Sequence, residues 1–330
     1  MTDPLSGGLR RLARAGGVPW VAALAIGIAT SVHSPGFRTA ANLSDLSRAT
    51  VVLALAALGQ FIVVLGGGVD LSIGMNVRLG GIIAASVMAG ENGNLILGVL
   101  VALGVGAAMG TVNGLLVTRL GIEPFIATLG MFALARGVSL YLAGSLNGGV
   151  SPALSDFYGW KVGPLYGLVI VTAAVWAVVA WLLYRTPWGV HVHATGADPA
   201  VANLGGIQVA RMRTVLFLIA GVLGGLATIA SLSSGAGGSS TSAEGLEFQA
   251  LAAVVVGGVS LAGGRGRLLG ALGGVVLLSV LDNALTLLRV ESYYQQLVRG
   301  VVILIAAGMY VESRKRRSRQ IPNDVPAAAT

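Results

Sequence analysis

Nonpolar residues in this chain gather into long unbroken runs, not into alternating or one-sided stripes. The runs are close to the ~20 residues with which an α-helix crosses the hydrocarbon core of a bilayer. They predict spans at Val18–Val32, Ala49–Gly67, Leu71–Ala89, Leu95–Val117, Pro124–Ala143, Leu165–Leu183, Val215–Ser231, Phe248–Leu261, Leu268–Leu288 and Tyr293–Tyr310. Arg10, Arg11 and Arg14 before the first run imitate a signal peptide. No small-residue cleavage site follows and nine further runs do, so it is read as a membrane helix. The expectation is an all-α polytopic membrane protein of about ten transmembrane helices.

Composition agrees. Of 330 residues, 55% are hydrophobic and only 10% charged, with mean hydropathy +0.83; a soluble domain carries about a quarter charged residues. Fifty glycines suit helices that must pack in lipid by close backbone approach. The 21 basic residues against 13 acidic raise the question of nucleic acid, which their positions answer. With the N-terminus inside, fourteen lie in inner segments, four outside (Arg38, Arg48, Lys161, Arg289) and three within spans (Arg78, Arg136, Arg299). That is the positive-inside asymmetry. Both termini are expected in the cytoplasm, and no nucleic-acid partner is expected. The chain divides into an N-terminal segment (1–16), one transmembrane domain (17–311) with an inner loop at 185–213, and a basic tail (312–330), read as disordered and facing headgroups.

Several chemistries are missing. A phosphate-cradling loop ends in Lys followed by Ser or Thr, but Lys161 precedes Val162 and Lys315 precedes Arg316. There is no cysteine, and His33, His191 and His193 make no zinc-helix motif. No metal site and no catalytic constellation are expected, so the chain reads as a conduit and not an enzyme. A secondary transporter would place carboxylates at mid-membrane, whereas the span acids here lie near span ends, Asp282 excepted. Asp282 and Arg299 reach similar depth across the last hairpin and are expected to pair.

Within the spans, "LGGGVDLSIGMNVRLGG" (Leu65–Gly81) combines a glycine-rich reversal with two charges. Gly67, Gly68 and Asp70 are read as a structural turn, Asp70 capping the next helix with Ser72 in its first turn. Arg78 either snorkels to cytoplasmic headgroups or lines a solute path. Asn76, Asn113, Thr128, Gln249 and Asn283 are path candidates whose alternative role is to tie helices together. "GGVDLSIGMNVRLGG" from Gly67 and "GGVSLAGGRGRLLGA" from Gly257 share seven of fifteen positions, a faint internal echo. In the inner loop, Asp198-Pro199 makes a good helix start, acid as cap and proline in the first turn.

Four stretches in series resemble the permease subunits of ribose-type (monosaccharide) ABC importers: "GGGVDLSIG" (Gly66–Gly74), "VNGLLVTRLGIEPFIATLGMFALARG" (Val112–Gly137), "ATGADPAVANLGGI" (Ala194–Ile207) and "EFQALAAVVVGGVSLAGGRGRLLGALGG" (Glu247–Gly274). The resemblance implies a subunit of the bacterial inner membrane. It would pair with a second permease copy or homologue, a cytoplasmic ATPase and an extracytoplasmic solute-binding protein. ATP and magnesium then belong to the ATPase, and no cofactor to this chain. The cargo implied is a monosaccharide, with branched-chain amino acids or nucleosides as the alternative within the same architecture. Gly196, Asp198, Pro199, Ala202, Gly205 and Ile207 match the short helix that docks into the ATPase, with Ala202 and its small neighbours presented to the partner. Arg136 matches the family's Ala-Arg-Gly and is read as structural. The family usually has small or apolar residues where Asn76 and Arg78 stand, and an acid where Gln249 stands.

Overall fold

The computed structural model describes residues 16–145, 148–235, 243–291, 293–295, 297–298, 300–301 and 304. Among the described residues up to 291, twelve α-helices can be numbered in chain order. They are α1 (Val18–His33), α2 (Ala40–Leu65), α3 (Ile73–Met88), α4 (Leu95–Thr118), α5 (Pro124–Ser145), α6 (Pro152–Gly159), α7 (Gly167–Arg185), α8 (Pro187–Ala197), α9 (Pro199–Leu204), α10 (Val209–Ser233), α11 (Leu246–Val256) and α12 (Leu268–Leu287). Between α6 and α7, β1 (Lys161–Val162) and β2 (Leu165–Tyr166) pair antiparallel.

Six of these helices are long and apolar enough to cross a membrane, while α1, α3 and α11 are apolar but shorter. Each of the first nine expected spans coincides with a helix. The tenth and its Arg299 fall largely outside the described residues, as do both termini. Boundaries moved where capping chemistry outweighs hydropathy. The helix expected from Ala49 begins nine residues earlier, because Thr39 Oγ1 accepts the Asn42 amide and starts α2 on a polar stretch. The run expected to continue to Leu261 stops at Val256, where Gly258, with φ of +80°, closes α11. The inner loop is not a loop throughout, since α8 fills its first half.

Burial sorts the helices into layers. In their most apolar windows, α2 and α10 are 78% and 67% buried, against 28% for both α4 and α5, so the first pair is interior and the second faces outward. α3 is walled in, with thirteen of its sixteen residues buried. At about 24 Å it is shorter than the ~30 Å hydrocarbon core. The chain reaches it through an irregular buried stretch after the α2 turn, so its N-terminus lies inside the protein. Interior packing uses small residues. A side chain on Gly106 would collide with the Gly221 carbonyl, and one on Gly221 with that of Gly106, which is how α4 and α10 approach closely.

Near the start of α2, Arg48 lies 4.4 Å from the Tyr158 ring and 4.3 Å from the Tyr166 ring, and pairs with Asp45. Lys161, and then Ser44, hold the Tyr166 phenol below its ordinary pKa by hydrogen bonding to it. These contacts tie the polar start of α2 to the β1–β2 segment.

Candidate functional site

The α2–α3 turn is built from three consecutive glycines. Gly66, Gly67 and Gly68 donate their amides to Ile62, Val64 and Val63 at 3.1, 3.0 and 2.9 Å. Gly67 holds φ of +85°, a conformation that favours glycine. The same capping pattern closes α11, through Gly257, Gly258 and Val259 bonding Ala253, Val255 and Val254. It also closes α9 and α12, so the cap by itself does not make the sequence echo a duplication.

Asp70 is buried, at 2% exposure, but it does not cap α3 as expected. Its Oδ1 accepts from Ser72 N at 2.8 Å and Ser72 Oγ at 2.6 Å, within the turn that precedes the helix. Ser72 occupies the N-cap position and its side chain makes no capping bond; its hydroxyl is engaged by Asp70 and by Asn113 Nδ2 at 2.8 Å. The acid therefore fixes this stretch, through Ser72 and Asn113, to α4.

Most polar path candidates turn out to be ties. Thr128 Oγ1 donates to Val69 O and Pro124 O at 3.1 and 2.9 Å, joining α5 to the turn. Asn76 Nδ2 donates to Gly221 O at 3.1 Å, joining α3 to α10. Asn283 and Asn42 exchange two side-chain bonds, at 2.8 and 3.1 Å. Gln249 is partly exposed. Arg78 is only 4% exposed and its Nε has no partner, so it is enclosed by protein and does not reach headgroups. Glu247, not singled out from the sequence, is 2% exposed. Its Oε2 has no hydrogen-bond partner and presses against Gly74 of α3. A lone acid at the start of the apolar stretch "LEFQALAAVVV" was the signal for it.

The inner segment is organised around Asp198. It breaks the chain between α8 and α9, and its Oδ1 accepts from Ala200 N and Val201 N at 2.9 and 3.1 Å, with Pro199 following as the first helical residue. Contrary to expectation, Ala202 points inward, at 4% exposure, because α9 lays one side against α8 and α10. The outward side carries Val201 and Leu204, 63% and 89% exposed. Gly205 is exposed and Ile207 half-buried, their amides closing α9 on Val201 O and Ala202 O.

Gly196 lies at the other end of this unit and is buried. A side chain there would collide with Leu65 O and approach Gly264 N to 2.5 Å. Gly264 N itself donates to Leu65 O at 2.8 Å, and His193 Nδ1 lies 3.1 Å from Gly264 O. A Cβ on Gly263 would lie 2.7 Å from Gly67 Cα and 2.5 Å from Gly196 O. Thus α8, the α2–α3 turn and the α11–α12 connection meet backbone to backbone. Sequence reading placed Gly67 and Gly196 in separate motifs and had no signal that they touch.

Comparison with known proteins follows the same ground. A family model described as "Branched-chain amino acid transport system / permease component" matches residues 42–307. The ribose import permease protein of Escherichia coli (strain K12) is 38% identical over 306 residues, covering 90% of this chain and 93% of that protein. That of Bacillus subtilis (strain 168) is 35% identical, covering 87% and 90%. The galactose/methyl galactoside import permease protein of Haemophilus influenzae (strain ATCC 51907 / DSM 11121 / KW20 / Rd) is 33% identical, covering 84% and 88%. No solved structure matches the chain.

Proposed function

The chain belongs to the branched-chain amino acid transport system permease family, and from that premise we propose that it is the membrane conduit of a binding-protein-dependent monosaccharide importer. The relatives named for ribose and galactose support sugar as cargo. The observation that carries the mechanism is the junction at Gly196. It joins α8 and α9, on the inner side by the charge count, to two turns of the buried bundle, with no side chain between to absorb displacement.

In this reading a cytoplasmic ATPase grips the outward apolar pair Val201 and Leu204. Movement of α9 passes through the Asp198 cap to α8, and at Gly196 to the α2–α3 turn and the α11–α12 connection. Asp70, Ser72, Asn113 and Thr128 lock that turn to α4 and α5, so displacement there repositions whole helices. The chain works as one of two permease subunits in the inner membrane, of about ten spans each with both termini cytoplasmic. An extracytoplasmic binding protein delivers the solute. ATP and magnesium sit on the ATPase.

Reconstitution with a cytoplasmic ATPase and a solute-binding protein of the same importer tests this. D-ribose or a related monosaccharide should stimulate ATP hydrolysis and be taken up, while L-leucine should do neither. Uptake of leucine alone would replace sugar by branched-chain amino acid. Uptake without the ATPase would sink the reading.

A further inference from the structure

α5 stands at the edge of the bundle and packs chiefly on α3 and α4. Its buried residues, Ala127, Thr128, Ala135 and Ser139, occupy a narrow stripe, flanked by half-buried Met131, Phe132 and Leu142, and its other side is open. On that open surface lies Arg136, its side chain 53% exposed. It comes twelve residues after Pro124, so it sits about 18 Å along the helix, near the middle of a core about 30 Å thick. That depth is out of reach of the headgroups from either end, and an arginine facing lipid there is strongly disfavoured. Its neighbour is Glu244, just before α11 and itself 62% exposed, with Arg136 Nη2 4.0 Å from Glu244 Oε1.

Two exposed opposite charges near the bilayer centre require water or a polar ligand beside them. The contact is long for a salt bridge, so most guanidinium donors and carboxylate lone pairs remain available. The pair is neutral overall, which suits an uncharged solute better than an ion. A polyhydroxylated solute offers at each hydroxyl one donor and two acceptor lone pairs, matching both partners at once.

We propose that Arg136 and Glu244 form a station in the aqueous path that holds the passing sugar by its hydroxyls, with the second permease subunit closing the path opposite α5. This rests on the reading of the chain as a sugar conduit.

The absence of cysteine makes the test direct, because a single introduced thiol reacts with a charged, membrane-impermeant methanethiosulfonate only where water lets it ionise. In membranes holding the full transporter, Arg136→Cys and Glu244→Cys are each compared with Leu134→Cys. Leu134 is 60% exposed and roughly 200° round the helix from Arg136. The two station positions should label at least about tenfold faster than Leu134→Cys, as thiolate access dictates. Saturating D-ribose should slow labelling of Glu244→Cys, and adding Arg136→Gln should abolish that protection. Equal labelling at 136 and 134 overturns the proposal, as does protection that survives Arg136→Gln or comes from L-leucine instead. Labelling reports where the side chains sit whether or not transport occurs. Ribose uptake by the unsubstituted chain separately tests the conduit reading.

Discussion

Gly196 shows how much can depend on a missing methyl group. A Cβ there meets the Leu65 carbonyl and the Gly264 amide, both backbone groups that cannot swing aside, whereas a Cβ on Gly205 meets only carbonyls of its own turn at 3.4 and 3.6 Å. Gly196→Ala should therefore destabilise the folded chain by about 1–3 kcal/mol, as overpacking does. It should also uncouple hydrolysis from transport, while Gly205→Ala does little. Thermal unfolding in detergent and ribose-stimulated ATP hydrolysis measure the two effects, and equal behaviour of the variants would show that the junction is not a tight contact. At this scale the sequence was informative where a residue acts on its own neighbours. Asp198 caps α9 because cap, proline and helix are consecutive. Asp70 misled because its partner Ser72 competes for the same oxygen before the helix begins. Whether Arg78 faced headgroups or protein depended on what the rest of the chain packs around it.

The six-residue α9 makes the same point one level up. Its existence and its start were legible, but not which side faces out, because a helix this short has less than two turns of pattern and its orientation is set by α8 and α10. The small residues expected to receive a partner include Ala202, which is buried, so Ala202→Trp would disturb this chain's own packing before any interface. The informative change is Val201→Asp with Leu204→Asp. With both side chains exposed, membrane abundance should stay near that of the parent, while the ATPase co-purifying with the complex falls by tenfold or more, about 1.4 kcal/mol or greater. Full retention of the ATPase would move the docking surface elsewhere. The helices α3 and α11 were legible as apolar runs but not in length, since glycine turns and a buried start cut them short.

For the whole molecule, the order of the helices could be read from hydropathy, because it is a sum over many residues. The junction of α2–α3, α8 and α11–α12 could not, because it joins residues as much as 199 positions apart, Leu65 to Gly264, through backbone contacts with no side-chain signature. The proposed division of labour between chains belongs to this scale as well. Neither lysine stands where a phosphate loop needs one, so the chain purified alone should retain no labelled ATP on filters, and the same assay with the ATPase restored should be positive. Saturable binding by the isolated chain would contradict its role as a conduit.

The shortness of α3 has a consequence for how the protein responds to its membrane. Bilayers differ by a few Å in thickness, and helices bathed in lipid adjust by tilting. α4, α5 and α7, largely exposed, must follow such changes, whereas α3 is screened by protein and tied to α10 through Asn76. A thicker or thinner bilayer therefore shears the rim against a centre that does not feel it, and the strain gathers where α5 meets the α2–α3 turn, at the Thr128–Val69 bond. Thr128→Val should thus make the uptake rate less dependent on acyl-chain length in proteoliposomes of graded thickness, with an unaltered thickness profile counting against such mechanical insulation.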